Sequence, residues 1–331
     1  MTSTTVTKRH REKNSAKATS QENWKGKAKD EITDKKDKES QPKDFKYGPL
    51  PRFPSQRVWS RGVMIIGVLV YLWYFSKSTN ETVLAKQNTV YNRRSQVVEC
   101  GPEFVEDIKQ YKSCIPEKCG RFVSDKIVTD QEADILLRLA VRIMAQGGSS
   151  GGASIIDLHT GALSYKDRFI NIYEQSGSKN ILTESERTIY HLVRSKIQEA
   201  IAQNFGIQAD SLYLTYPTFF SRLTNVDPKT RHDEYWHEHI DKRTYESFHY
   251  TSLLYLNDYG KDFKGGRFIF QDNIAKPTKN VTVEPRKGRV SMFTSGSENP
   301  HFVERVEEGM RFAITVSFTC DKTKAISDPG V

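Results

Sequence analysis

Hydrophobic and polar positions divide the chain into four textures. Up to about residue 46 large apolar residues are almost missing, and Lys, Ser, Thr, Asp and Glu follow one another without a period. Such a segment cannot bury enough surface to offset the entropy of ordering, so 1–57 reads as a disordered tail. Residues 62–75 (GVMIIGVLVYLWYF) then carry no charge, and 58–76 carry only Arg61. As a helix, 58–76 would reach roughly 28 Å, close to the ~30 Å hydrocarbon core of a bilayer. Arg61 stands at one end, where its stem reaches headgroups. Tyr71, Trp73 and Tyr74 gather toward the other end like an interfacial belt. A buried core helix or the apolar part of a cleaved signal peptide would show a similar run, and Ser76-Lys77-Ser78 has the small-x-small form of a cleavage site. The long polar segment ahead of it argues against a signal peptide. The expectation is a retained transmembrane signal anchor at 58–76.

After the anchor, 77–120 is polar and irregular and reads as a stem. Two amphipathic helices follow. Thr129-Asp-Gln-Glu132 has capping-box form ahead of Ile135, Leu136, Leu139 and Ile143, and Gly147-Gly148 ends that helix. Thr183-Glu-Ser-Glu186 opens a second, with Ile189, Leu192, Val193, Ile197 and Ile201 on one face and Gly206 as the stop. The stretch 147–177, with its Gly-Gly-Ser-Ser-Gly-Gly run, reads as loop. From Ser211 onward short runs rich in Tyr, Phe, Thr, Val and Ile alternate with turns: 212–223, 248–256, 267–270, 281–283, 289–294, 301–306 and 310–319. Many strands at this spacing predict a double-sheet jelly roll. The fold class is therefore α+β: a double-stranded β-helix (jelly roll) over 121–320, buttressed by N-terminal helices, preceded by the transmembrane helix and the disordered tail, and ending in a short tail at 321–331.

Charge changes the picture only once it is located. The chain carries a formal +9, but residues 1–61 hold 16 Lys and Arg against 8 Asp and Glu, so only +1 remains for everything after. A basic, nucleic-acid-binding domain is excluded. All four cysteines (Cys100, Cys114, Cys119, Cys320) follow the anchor, as do both glycosylation sequons, at Asn80 and Asn280. That one-sidedness favours a single-pass type II membrane protein with its C-terminal domain in the secretory lumen (endoplasmic reticulum or Golgi) and its tail in the cytosol. Cys114 and Cys119 could be half of a zinc site, but no second Cys/His pair lies nearby; a disulfide bracing the start of the domain fits better. Four cysteines allow three pairings, and the spacing does not choose among them.

Five of the eight histidines (His232, His237, His239, His249, His301) fall within seventy residues. In His237-Glu-His239-Ile-Asp241 the alternate residues point one way if the segment is extended. Two imidazoles, or an imidazole and a carboxylate, then face one point, and His301 from a later strand would complete two His and one carboxylate. That set occupies one face of an octahedral metal and leaves three positions open, as non-haem iron(II) oxygenases require. On the last strand Arg311, Ala313, Thr315 and Ser317 share one face, and Phe312, Ile314, Val316 and Phe318 the other. The first face, small and polar with a single cation, suits a barrel interior that holds a dianion.

The ordered series His239-Ile-Asp241, Leu254-Tyr-Leu-Asn257, Gly265-Gly266, Pro285-Arg-Lys-Gly288, His301 and Arg311 resembles the catalytic domain of prolyl 4-hydroxylase-type 2-oxoglutarate/iron oxygenases, over about 215–320. The resemblance implies that His239, Asp241 and His301 hold Fe(II), selecting His239 over His237 because it alone stands two residues before the Asp. His237, on the same face, stays open as an alternative ligand, an outer-shell group or a substrate contact. Arg311 would bind the far carboxylate of 2-oxoglutarate, Tyr255 would supply a hydroxyl to it, and ascorbate would be an auxiliary cofactor. The implied reaction hydroxylates a C–H bond of a protein or peptide substrate and releases succinate and carbon dioxide. The rival readings are a catalytically silent jelly-roll binding module and a zinc hydrolase; the latter lacks a His-Glu-x-x-His arrangement.

Overall fold

The computed structural model describes residues 54–75, 81–174, 181–272 and 279–329. The tail expected to be disordered, apart from its last few residues, lies outside the described residues, as do Ser76 and the sequon residue Asn80. The chain divides at Ile65/Ile66 into two units. The first helix, α1, runs Gln56–Phe75. Among the described residues no helix is long and apolar enough to cross a membrane.

The helices predicted at 129 and 183 form where their caps place them. In α3 (Asp130–Met144) the Thr129 hydroxyl accepts from the Glu132 N–H at 3.2 Å, while the Glu132 carboxylate accepts from the Thr129 N–H at 2.9 Å. Thr183 and Glu186 repeat the arrangement at the start of α4 (Glu184–Phe205), and Gly206 closes that helix in the left-handed region at φ +72°. Leu136, Leu139, Ile143, Val193, Ile197 and Ile201 are buried, whereas Leu192, expected on the same face, is exposed.

Two sheets form the body of the second unit. The larger contains Val290–Thr294, Tyr250–Tyr255, Val306–Thr319 and Phe219–Thr224 as hydrogen-bonded neighbours in that order. The smaller runs Glu81–Ala85, Lys279–Val283, Phe268–Asp272 and His301–Val303. The alternation along Val306–Thr319 sorts two cores. Phe312, Ile314, Val316 and Phe318 pack with Leu136, Ile143, Ile197 and Phe205 of the helices. Ala313, on the opposite face, belongs to the core that also holds Leu253, Tyr255, Phe268, Phe270, Val283 and Phe293 from both sheets. The jelly-roll reading with helices behind one sheet is thus what the strands build.

Three expectations need correction. The supposed loop 147–177 contains the strands Gly148–Ser149, Ala153–Ile156, Ala162–Lys166 and Arg168–Asn171, which extend the larger sheet beyond Phe219–Thr224. These runs are too short and too rich in Ala and Ser to show a period. The supposed irregular stem contributes Glu81–Ala85 to the smaller sheet, Arg94–Val97 to the larger, and a helix α2 (Pro102–Ile108) with Phe104 and Ile108 buried. Its partners are supplied from distant sequence, so no local signal marks it. The single strand expected at 212–223 splits into Tyr213–Leu214 and Phe219–Thr224 around Pro217, which has no N–H to give a ladder.

Of the three possible pairings, the cysteines take Cys100–Cys119 and Cys114–Cys320, leaving none free. A buried ion pair ties the first part of the domain to the sheet. Arg289 Nε donates to Asp125 at 2.7 Å and Arg289 Nη2 at 2.9 Å, and the rest of the guanidinium reaches the carbonyls of Lys86, Thr89 and Glu284. Removing one partner leaves a buried charge uncompensated. Asp125→Asn should therefore lower stability by about 3 kcal/mol in equilibrium denaturation; a change near zero would show that solvent reaches the pair.

Candidate metal centre

His239 and His301 face each other across an isolated antiparallel bridge, each accepting the other's backbone N–H, at 2.9 and 3.0 Å. The pairing brings the imidazole centroids to 4.4 Å. The chain then turns, so that Asp241 opens a one-turn helix, α5 (Asp241–Thr244), rather than continuing the extended run. Asp241 Oδ1 lies 3.6 Å from His239 Nε2 and 3.5 Å from His301 Nε2. Among the described residues this is the one His/Cys/Asp/Glu group able to hold a metal ion, its ligand atoms all within 4.8 Å of one another.

The hydrogen bonds behind these atoms present them in ligating form. His301 Nδ1 faces the Asn299 carbonyl at 2.9 Å, and His239 Nδ1 the His237 carbonyl at 3.0 Å. A carbonyl only accepts, so each Nδ1 carries the proton and each Nε2 offers a lone pair to the common point. Burial also pushes the His301 imidazolium down to about 4, which keeps that ring neutral. Thr251 donates its hydroxyl to Asp241 Oδ2 at 2.7 Å, leaving Oδ1 toward the histidines. Thr251 was not singled out from sequence. Only its place on the strand Tyr250–Tyr255, two residues before Leu253 on the interior face, could have flagged it.

Asp241, His301 and Arg311 are buried, and together with His239 they line one cavity of roughly 650 Å³. Its walls are mainly apolar, with Leu223, Leu253 and Phe293 among them. Arg311 is 1% exposed, and its Nε and Nη2 have no hydrogen-bond partner within the chain. Burial lowers the guanidinium pKa, though an arginine remains charged. A buried charged fork with unpaired N–H groups facing a cavity is costly unless an anion completes it. The Gly265-Gly266 turn makes room for it: Gly266 has φ +64°, and a Cβ there would come within 3.1 Å of the Arg311 side chain.

One sequence candidate, Tyr255, sits differently from expectation. Tyr255 presents its ring, not its hydroxyl, to Arg311, with the guanidinium carbon 5.5 Å from the ring centroid. Its hydroxyl lies 3.2 Å from Ser291 Oγ, and burial pushes its pKa up to about 12. The supply of a hydroxyl to a ligand is thus replaced by a face beneath the cation, because the side chain points into the core between the sheets. His237 is absent from the ligand group; its Nε2 pairs with Glu234 at 2.7 Å, at the exposed rim of the cavity. Asn280 is half-buried in the smaller sheet, where it pairs with Glu81 and Gln271.

Comparison with known proteins places this geometry. The model of the 2OG-Fe(II) oxygenase superfamily matches residues 225–319. The chain is 49% identical over 278 residues, covering 82% of this chain and 86% of its relative, to the 2-oxoglutarate and iron-dependent oxygenase domain-containing protein 3 of Xenopus tropicalis. It is 26% identical to prolyl 3-hydroxylase 2 of Gallus gallus over 68% of this chain and 34% of that one. A solved prolyl hydroxylase from Trichoplax adhaerens, in complex with a peptide fragment of the hypoxia inducible factor oxygen degradation domain, shares 16% identity and a TM-score of 0.44. That likeness covers 68% of this chain and 96% of the other.

Thr251 supplies a direct check on the donor set. Thr251→Val keeps the shape and removes one hydrogen bond to Asp241, so divalent metal affinity should fall about 10-fold or more while the fold persists. Unchanged affinity in a metal titration would mean that Asp241 does not depend on Thr251 for its orientation.

Proposed function

We propose, from the premise that the chain belongs to the 2-oxoglutarate and iron(II)-dependent oxygenase superfamily, that His239, Asp241 and His301 hold its iron and Arg311 its 2-oxoglutarate. The chain is a dioxygenase, and Fe(II) and 2-oxoglutarate are its cofactors. The residues present fit both. Two neutral imidazoles and one carboxylate form the donor set of such iron sites, and a guanidinium with unpaired buried N–H groups shares their cavity. That shared cavity is the observation that carries the assignment. When bound, and with O2 as the oxidant, the two cofactors would supply oxidative decarboxylation of 2-oxoglutarate to succinate and carbon dioxide, one oxygen atom going to succinate and the other to a substrate C–H bond.

The chain's own residues orient and shield. His239 and His301 keep their protons on Nδ1 and so cannot turn their lone pairs away. Thr251 holds the Asp241 carboxylate. Arg311 would hold the far carboxylate of 2-oxoglutarate through its unpaired Nε and Nη2, and Tyr255 lies under the guanidinium as a cation–π platform. The apolar walls keep water from the reacting centre. A catalytically silent binding module would carry the cost of a buried, unpaired Arg311 with no return.

The substrate is proposed to be a protein or peptide. The cavity opens at a rim bearing Arg231, Glu234, Tyr245 and His237, which suits a chain segment laid across its mouth. The more distant relative is named a prolyl hydroxylase. Ascorbate is proposed as the reductant that restores the metal after uncoupled turnover. We further propose that α1 attaches the chain to a membrane, with the catalytic domain in the secretory lumen. Support comes from the exposed apolar side chains of α1 (Val63, Ile65, Ile66, Leu69 and Leu72), the two disulfides, and the sequons at Asn80 and Asn280.

Full-length protein loaded with Fe(II) under nitrogen and then given oxygen should convert 2-oxoglutarate to succinate even without substrate. His239→Ala should abolish this, and Arg311→Ala should raise the KM for 2-oxoglutarate about 10- to 100-fold, the worth of a charge-assisted pair. No succinate from folded, metal-loaded protein would favour the silent module, and an unchanged KM would remove Arg311 from the cosubstrate site. In cells the protein should resist alkaline extraction from membranes and lose mass on N-glycosidase treatment. Release by alkali, or no mass change in both Asn80→Gln and wild type, would remove the anchor or the luminal placement respectively.

A further inference from the structure

The segment from Cys100 to Arg121 reaches both halves of the metal centre from outside the cavity. Its two disulfides, Cys100–Cys119 and Cys114–Cys320, tie it to itself and to the end of the long strand Val306–Thr319. Between them α2 presents Asp107, whose carboxylate meets Lys242 Nζ and, at 2.8 Å, His249 Nε2. Lys242 follows Asp241 directly. Its Nζ also donates to the Glu246 carbonyl at 2.7 Å and its backbone N–H to the Ser295 carbonyl at 3.0 Å. His249 is buried, and its Nδ1 accepts from the Cys320 N–H at 3.1 Å, so the ring proton sits on Nε2 and is donated to Asp107. One carboxylate thus pins the outer side of the turn that carries Asp241.

The other arm runs through Arg121, two residues beyond Cys119 and 1% exposed. Its Nε donates to Asn299 Oδ1 at 2.7 Å and its Nη2 to the Glu298 carbonyl at 3.3 Å. Asn299 in turn donates to the Thr294 carbonyl at 2.7 Å, and its own carbonyl accepts the His301 Nδ1 proton at 2.9 Å. Glu298 closes the same loop: its carboxylate accepts from the Gly101 N–H at 3.0 Å and from the Gly296 N–H at 3.1 Å. Both ends of the Cys100–Cys119 hairpin therefore grip the turn that delivers His301.

Neither Asp107 nor Arg121 lines the cavity, so neither touches cosubstrate or substrate. We infer that both are positioning residues of the metal centre: Asp107 sets the Asp241 turn through Lys242, and Arg121 sets His301 through Asn299, an inference that rests on the ligand assignment above. Arg121 also pairs with Asp272 at 2.8 Å, and a buried arginine often does no more than brace a sheet. Arg289 is that case here, since its fork goes to Asp125 and to carbonyls that support no ligand. The contrast between the two arginines provides the control.

Full-length wild type, Asp107→Asn, Arg121→Gln and Asp125→Asn are each titrated in detergent with Co(II) alone, following its visible ligand-field absorption, with thermal melts alongside. Asp107→Asn and Arg121→Gln should weaken Co(II) binding about 10- to 100-fold, the range known for partners behind metal ligands. Asp125→Asn should lose stability yet keep wild-type affinity and an unchanged Co(II) spectrum. Asp107, a third exposed at the edge of the molecule, keeps the test decisive should Arg121→Gln not fold. Affinity that falls with stability across all three variants, or wild-type affinity in both Asp107→Asn and Arg121→Gln, overturns the positioning roles. Folded wild type that takes up no Co(II) overturns instead the ligand assignment beneath them.

Discussion

Two backbone hydrogen bonds between His239 and His301 join segments far apart in sequence, and the metal centre exists only while they hold. His239 lies in an irregular stretch ahead of α5, and His301 begins a three-residue strand at the edge of the smaller sheet. His239 thus has no regular element of its own to fix it, and His301 has only the first position of a short strand, opposite Phe270. The bridge substitutes for one, and the carbonyls of His237 and Asn299 then set the two rings. Once the rings face each other, Asp241 needs only the turn of α5 to bring its carboxylate between them. Most of the sheet structure can be understood as support for that small constellation.

Arg311 imposes the second constraint. A guanidinium in a nearly dry cavity costs several kcal/mol unless its donors are met, and within the chain two of its nitrogens are not. The fold supports the charge by other means: the Tyr255 ring beneath it, the Gly265-Gly266 turn that yields space, and the small face of Val306–Thr319 around it. In the proposed assignment the anion that completes the fork is the cosubstrate. The stability of this region and the affinity for 2-oxoglutarate are therefore parts of one balance, since a ligand that binds only the folded state stabilises it.

What the sequence revealed follows the range of the forces involved. Local signals were legible: the capping boxes at Thr129 and Thr183, the apolar stripes of α3 and α4, and the two-faced alternation from Arg311 to Phe318. His239, Asp241, His301 and Arg311 were legible as an ordered series, and the structure brings all four to one cavity. Less visible were features made by distant partners. The strand Glu81–Ala85 pairs with Lys279–Val283, and Arg121 reaches Asn299; neither residue's neighbours in sequence hint at this. Tyr255 shares the strand face of Thr251 and Leu253, but it sits deeper between the sheets, where its hydroxyl meets Ser291, and that depth depends on partners that only the paired strands bring. His237 stands apart from the ligand group because the chain bends at that residue, which breaks the two-residue period before His239.

The burial of the ligands is unequal, and the inequality gives the site a direction. His301 and Asp241 side chains are 5% and 9% exposed, whereas His239 is 42% exposed. Arg311, 1% exposed, stands with His301 and Asp241 on the buried side of the cavity. The open side is the one His239 shares with His237, Glu234 and Tyr245 at the rim. The exposed residues on that side belong largely to the stretch 225–245, which also carries His239 and Asp241. Two of the three ligands, His239 and Asp241, therefore share a stretch with the rim, and Asp107 of α2, through Lys242, ties that stretch to the disulfide-braced scaffold, so the rim cannot vary without regard to the metal ligands it carries.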